Sequence, residues 1–137
     1  MNYLLDTNVL SDARRQIHPP LNAWLAGQPR ADLAISPVSL LEIERGVLQV
    51  ERRDVAAGRH LRDWLEIEVI PAFSGFTLPV DTTVARVAAG LHVPDPMPEM
   101  DALIAATAIV HDLVLVSRNT RDFRRTGARL LNPWDLP

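Results

Sequence analysis

The 137-residue chain contains no cysteine and no lysine. Without cysteine there is no disulfide framework, no thiolate chemistry and no cysteine-zinc site to consider. Without lysine, any mechanism that needs a side-chain amine is excluded. Long apolar runs are also missing. The most hydrophobic extended stretch, 102–116, is broken by His111-Asp112 and falls short of a membrane span. No basic segment and no apolar leader precede the first strand-like run, so a soluble, cytoplasmic protein is expected.

What is present suits a folded chain. Hydrophobic residues make up 47% and charged residues 23%, too apolar a balance for disorder. The length fits one core, and residues 1–137 are read as a single domain. The formal charge of −3 argues against a general nucleic-acid binder. Its distribution is less uniform: all 14 basic residues are arginine, and five of them lie between Arg118 and Arg129 beside a single acid, Asp122. Codon bias in a GC-rich genome accounts for an all-arginine inventory.

Short apolar runs alternate with helical patterns. Residues 2–5 read as a buried strand that stops at Asp6. "TNVLSDARR" has helical spacing, with Thr7 as its cap. Pro20 opens a second helix that ends at Gly27. "DLAIS" is another short strand, and Ser36-Pro37 caps a helix running towards Val50. Residues 54–69 are amphipathic at helical spacing. The helical stretch 37–69, long without a strand, has room to project from a sheet. "PAFSGFTLPV" predicts a turn and a short strand. Asp81 caps the helix that follows, and a proline-rich loop leads into a helix from about Glu99 to His111. "LVLVS" is the clearest strand, and "ARLLNPW" is the last. Strands alternating with helices imply an α/β sandwich around a parallel sheet.

In such a sheet, ligands bind beyond the carboxyl ends of the strands. Asp6, Ser36, Ser117 and Asn119 all follow predicted strands, and Asp101 sits in the first turn of the alanine-rich helix "DALIAATA". Each has a plain alternative. Asp6 is equally explained as a cap or an Asx turn, and Asp101 as an acid favoured by a helix dipole. Glu42 taken alone reads as a solvated helix residue, and Glu44 lies nearer the apolar stripe of Leu40, Ile43 and Val47. The joint appearance of three acids at predicted sheet ends raises the functional reading. Clustered carboxylates raise one another's pKa, and an all-oxygen set suits Mg²⁺ or Mn²⁺. Such an ion can activate water and offset charge on a phosphate. His18, His60, His92 and His111 lack metal-ligand spacing and read as structural or surface residues.

With these residues collected, the chain resembles the PIN-domain family, specifically VapC-type toxins of bacterial toxin–antitoxin systems, including the FitB-like branch. The resemblance is carried by "LLDTNVLSD", "SPVSLLEIERG", "DALIAATA", "LVLVSRNTRDF" and "LLNPW", in family order across nearly the whole chain. It implies a PIN-like three-layer α/β/α sandwich with a short central parallel sheet. It implies a Mg²⁺- or Mn²⁺-dependent endoribonuclease that cuts RNA, often tRNA or rRNA. It further implies a homodimer and a VapB-type antitoxin whose C-terminal segment occupies the cleft. By matching position, Asp6, Glu42 and Asp101 become the acidic metal site, with Asn119 at the fourth catalytic position and Thr7, Asn8 and Ser117 in support. The resemblance thus selects Glu42 over Glu44.

One departure stands out. Asn119 occupies a place where many family members carry an acid, which puts a second metal ion in doubt. Asp122 either supplies the missing carboxylate or caps a helix. Arg118 and Arg121 flank this corner as candidate RNA-backbone contacts, against the alternative of a solvated face with ion pairs. Trp24, Trp64 and Trp134 are expected in a core or an interface rather than under bases. Phosphotransferases with a strand-end aspartate nucleophile are set aside, because they require the lysine this chain lacks. The remaining alternative is a catalytically weak or inactive PIN-like module that binds RNA.

Overall fold

A computed structural model describes all residues, 1–137. Four short strands, β1 (Tyr3–Leu5), β2 (Leu33–Ala34), β3 (Val114–Val116) and β4 (Leu130–Leu131), form one parallel sheet in the order β2-β1-β3-β4. The register sets Leu4 opposite both Ala34 and Leu115, and Leu5 opposite Val116.

Alternation along these strands sends neighbouring side chains to opposite faces. Leu5, Leu33 and Val116 enter one core with Val9 and Leu10 of α1 (Thr7–Arg15), Leu21 of α2 (Pro19–Ala26), and Ile43 and Val47 of α3 (Pro37–Arg53). Leu4, Ala34 and Leu115 enter the other core with Ile104, Ala105 and Ala108 of α7 (Glu99–Val110) and Phe123 of α8 (Thr120–Phe123). The result is the three-layer α/β/α sandwich expected from sequence. On the second face, α6 (Thr82–Leu91) lays Val84 and Ala88 against Ala102 and Ala106, small side chains that let the two helices approach closely.

The caps follow the sequence. Ser36 Oγ accepts from Val38 N at 3.0 Å with Pro37 at the first helical position, and Asp81 accepts from Val84 N at 2.9 Å. At α1 the structure corrects the expectation, because Asp6 rather than Thr7 is the cap.

The long helical stretch does not project as one arm. It turns at Asp54, whose carboxylate caps α4 (Val55–Asp63), and α4 folds back along α3. The two helices touch at Gly58, where an added Cβ would lie 2.6 Å from Glu51 Cα. Arg62 locks the hairpin by pairing with Glu44 at 2.6 Å and Glu51 at 2.9 Å. Past Asp63 the helix widens into a π-helical stretch, Trp64–Val69, and ends in a short turn, α5 (Ile70–Ala72). The strand expected within "PAFSGFTLPV" shrinks to a single bridge between Ile35 and Thr77. Gly75 turns the chain with positive φ, and Pro79 has no N–H to extend the pairing.

Candidate active site

Parallel strands all end at one edge, and here each ends in a polar group. Asp6 follows β1, Ser36 follows β2 after Ile35, Ser117 follows β3, and Asn132 follows β4. Helices α1, α3 and α8 begin at this edge. α7 runs back towards the start of β3, so its first turn, carrying Asp101, returns to the same edge. The expected convergence therefore has a simple topological cause.

Asp6 is 5% exposed and its two oxygens are separately held. Oδ1 accepts from Thr7 N at 2.8 Å, which is the helix cap. Oδ2 accepts from Ser117 Oγ at 2.7 Å and from Asn8 Nδ2 at 3.3 Å. Ser117 Oγ in turn accepts from Asn119 N at 2.9 Å, tying the loop after β3 to the start of α1. Thr7 sits in the first turn of α1 with its hydroxyl turned towards α3. It donates to Glu42 Oε1 at 2.7 Å and lies 2.9 Å from Ser39 Oγ. Thr7, Asn8 and Ser117 thus all contact Asp6, and Thr7 also reaches Glu42. Ser39 of α3 adds a hydroxyl to this network.

The helical wheel favoured Glu44 because that face of α3 does meet another element, namely α4, where Glu44 pairs with Arg62. Glu42 faces α1 instead. Burial alone does not distinguish the two; the partner does.

Electrostatics join the acids. Burial pushes the Asp6 carboxyl above its ordinary range, and the nearby Glu42 charge adds to this, while hydrogen bonds from Ser117 and the Thr7 N–H work against it. Burial pushes Asp101 up to about 6, with further contributions from the charges of Asp6, Glu42 and Asp122. No three acidic or histidine side chains are already drawn into a closed ligand cage. The acids are near enough to raise one another's pKa but do not form a preformed shell. An all-oxygen donor set with raised carboxyl pKa values fits a hard divalent cation, which would relieve that repulsion.

Asn119 keeps its backbone N–H on Ser117, and its side-chain amide makes no hydrogen bond within the chain. The Asp122 carboxylate caps nothing. Its charge is near enough to raise the Asp101 carboxyl, after burial and the charges of Asp6 and Glu42.

The arginines differ among themselves. Arg118 is engaged within the chain, its guanidinium donating to buried Asp12 at 2.8 Å and lying over the Trp134 ring at 5.6 Å, while half of its side chain stays exposed. Arg125 binds the carbonyls of Leu91, Asp95 and Pro96, fastening the proline-rich loop. Arg129 pairs with Asp112. Arg121 has no acidic partner and remains available. Trp24 packs edge-on to Tyr3 at 5.0 Å, in keeping with a core role. Asp12 was missed from sequence. The available signal was its i, i+4 spacing from Asn8, which places an acid on the face of α1 that looks towards the β3 loop.

A family model described as PIN domain matches residues 3–129, and the chain belongs to the PIN-domain family. Two curated relatives are similar over nearly their whole length. "VapC ribonuclease Y4jK" of Sinorhizobium fredii is 30% identical, over 96% of this chain and 97% of that protein. "Toxin FitB" of Neisseria gonorrhoeae is 32% identical, again over 96% and 97%. Among solved structures, FitAcB from Neisseria gonorrhoeae superposes with a TM-score of 0.89 at 31% identity, covering 98% of this chain and 99% of that one. A DNA-bound VapBC from Salmonella typhimurium shares the fold with a TM-score of 0.80 at 22% identity, over 97% and 98% of the two chains. No helix of this chain is long and apolar enough to cross a membrane.

Proposed function

We propose that this chain, as one PIN unit, is a Mg²⁺- or Mn²⁺-dependent endoribonuclease and the toxin of a toxin–antitoxin pair. The observation that carries the reading is the hydrogen-bonded strand-end Asp6, linked through Thr7 to Glu42 and through Ser117 to the loop after β3. It lies at the edge to which α7 returns Asp101, whose carboxyl burial and these neighbouring charges push up. A protein holds acids in such company at a cost, and clefts lined by perturbed carboxyls are candidates for chemistry. The names of the relatives, ribonuclease and toxin, support the same reading.

Asp6 and Asp101 would be the direct ligands, with Glu42 completing the acidic set. A bound ion supplies Lewis acidity and a water activated for in-line attack on a phosphodiester. The other residues prepare that chemistry. Ser117 and the Thr7 N–H fix the two Asp6 oxygens, and the Thr7 hydroxyl orients Glu42. Asn119 offers a neutral amide oxygen, and Asp122 adds negative charge behind Asp101. Arg121, exposed and without an acidic partner, would contact RNA phosphate. Exposed loops of tRNA or rRNA are the substrates in view.

A VapB-type antitoxin is the proposed partner, supported by the similar structures solved as FitAcB and VapBC complexes. A homodimer and a cytoplasmic location complete the proposal. The alternative, an inactive RNA-binding module, rests on Asn119 alone and leaves the clustered acids without a purpose.

The test is incubation of purified, antitoxin-free protein with cellular RNA, with and without Mg²⁺ or Mn²⁺. Cleavage is expected only with metal and is expected to fail in Asp101→Asn. Metal-independent cutting, or undiminished cutting by that variant, overturns the mechanism.

A further inference from the structure

A groove leaves the acidic site on the side of Thr7 and Glu42 and runs between α1 and the α3–α4 hairpin. Its rim carries Arg14 and Arg15, and Gly46 and Trp64 line its sides. The floor is aliphatic, with Val47 and Leu61. The cavity is about 270 Å³, just under the roughly 300–1,000 Å³ of sites for drug-sized ligands. It has room for one planar ring system and its attached backbone.

Three features say what fits it. The groove is continuous with the acids, so a strand whose phosphate lay there would send a neighbouring nucleotide this way. Arg14 and Arg15 are both exposed, have no acidic partner within the chain and line this groove side by side. Trp64 packs against the core yet stays half-buried, and the Arg14 guanidinium lies over its ring at 5.8 Å, a stacking place that a base can take when Arg14 turns to a phosphate. A π surface beside unpaired cations is the combination that single-stranded nucleic acid uses for stacking and backbone contact. Gly46 keeps the space open, since an added Cβ would meet no heavy atom within 4 Å.

We propose that this groove is a nucleotide subsite that takes the base next to the scissile phosphate of a single-stranded RNA, against Trp64, with Arg14 and Arg15 on the adjoining phosphates. The proposal deepens the nuclease reading and rests on it. It also assigns Gly46 a role: any larger side chain there occupies the space of the base.

Binding to fluorescein-labelled RNA octamers (oligo-A, -C, -G and -U, and an abasic ribose-phosphate octamer) separates the possibilities when measured by anisotropy in EDTA, where no cutting occurs. The unaltered chain is expected to bind at least one base-containing octamer about tenfold more tightly than the abasic one. Gly46→Leu is expected to fold, because leucine favours helix over glycine and the space is empty. It should erase that difference. Arg14→Gln should lower the magnitude of the salt slope by about 0.7 for one lost phosphate contact on a single strand. Equal binding of base-containing and abasic octamers by the unaltered chain, or no binding of either, overturns the subsite. So does a Gly46→Leu protein that still distinguishes them; release of an antitoxin peptide by that variant would then assign the groove to the protein partner. Metal-dependent cutting, assayed separately, tells failure of the nuclease reading from failure of the subsite.

Discussion

Arg118 Nη1 and Asp12 Oδ2 meet at 2.8 Å across 106 positions of sequence. Asp12 is 6% exposed and also has His18 Nε2 at 3.6 Å. The pair pins the loop after β3, whose backbone is held further by Asn8 Oδ1 on Arg118 N and by Asn132 on Arg118 O. That loop presents Ser117 to Asp6. Arg118 is therefore a positioning residue for the acidic edge.

Replacing it by glutamine leaves a buried carboxylate short of a partner, which costs about 1–3 kcal/mol. Urea denaturation of Arg118→Gln should show that loss, and cleavage should fall through kcat rather than KM. The salt slope of RNA binding should stay unchanged, whereas a phosphate-contacting arginine would lower it by about 0.7. A reduced slope at unaltered stability would return Arg118 to the RNA interface.

Asp101 makes the metal-free protein less stable as pH rises. Its carboxyl holds a proton more tightly folded than unfolded, at about 6 against an ordinary 3.8. Below that lower value both states are protonated and no difference arises. Between the two values the folded state binds more protons, so stability declines with pH and levels off above about 6. The full shift corresponds to about 3 kcal/mol. The side chain is only partly buried, so solvent screening reduces the expected loss to on the order of 1 kcal/mol. Urea denaturation in EDTA at pH 4 and pH 8 measures it. Asp101→Asn should flatten the dependence, and so should saturating Mg²⁺ at the higher pH.

Glu42 and Glu44 separate chemistry from stability. Glu42→Gln weakens the charge at the site while leaving a side chain that Thr7 can still contact, and cleavage should drop on the order of 10–100-fold with little change in the unfolding midpoint. Glu44→Gln removes one of three acids around Arg62, costs at most about 1 kcal/mol, and should leave cleavage intact. Reversed outcomes would mean that the wheel, and not the partner, identifies the functional acid.

Asn119 and Asp122 should differ in kind. Asn119→Ala is expected to weaken cleavage less than Asp6→Ala, because a neutral amide contributes less to holding a cation than a carboxylate. Asp122→Asn removes a charge that raises Asp101, so the acid limb of the pH–rate profile should move to lower pH. A larger loss from Asn119→Ala than from Asp6→Ala would make the amide a primary ligand. An unmoved acid limb would detach Asp122 from the site.

Much of this molecule was legible in one dimension because its signals are local. Three-residue strands ending at Asp6 and Ser117, the Ser36-Pro37 cap and the Asp81 cap each follow from the chemistry of a few neighbouring residues. Alternation along Leu4-Leu5 and Leu115-Val116 already divides the two cores. The parallel sheet then forces the strand ends, and with them the acids, to one edge. What sequence could not rank was decided by partners far along the chain. Glu42 and Glu44 are two residues apart, yet one faces Thr7 of α1 and the other Arg62 of α4. Arg118 and Arg121 carry the same charge at the same corner, but only Arg118 finds a buried aspartate. A carboxylate or guanidinium is chemically identical in either setting. Its burial, its partner and its remaining charge exist only once distant segments have packed together, so tertiary structure alone assigns the role.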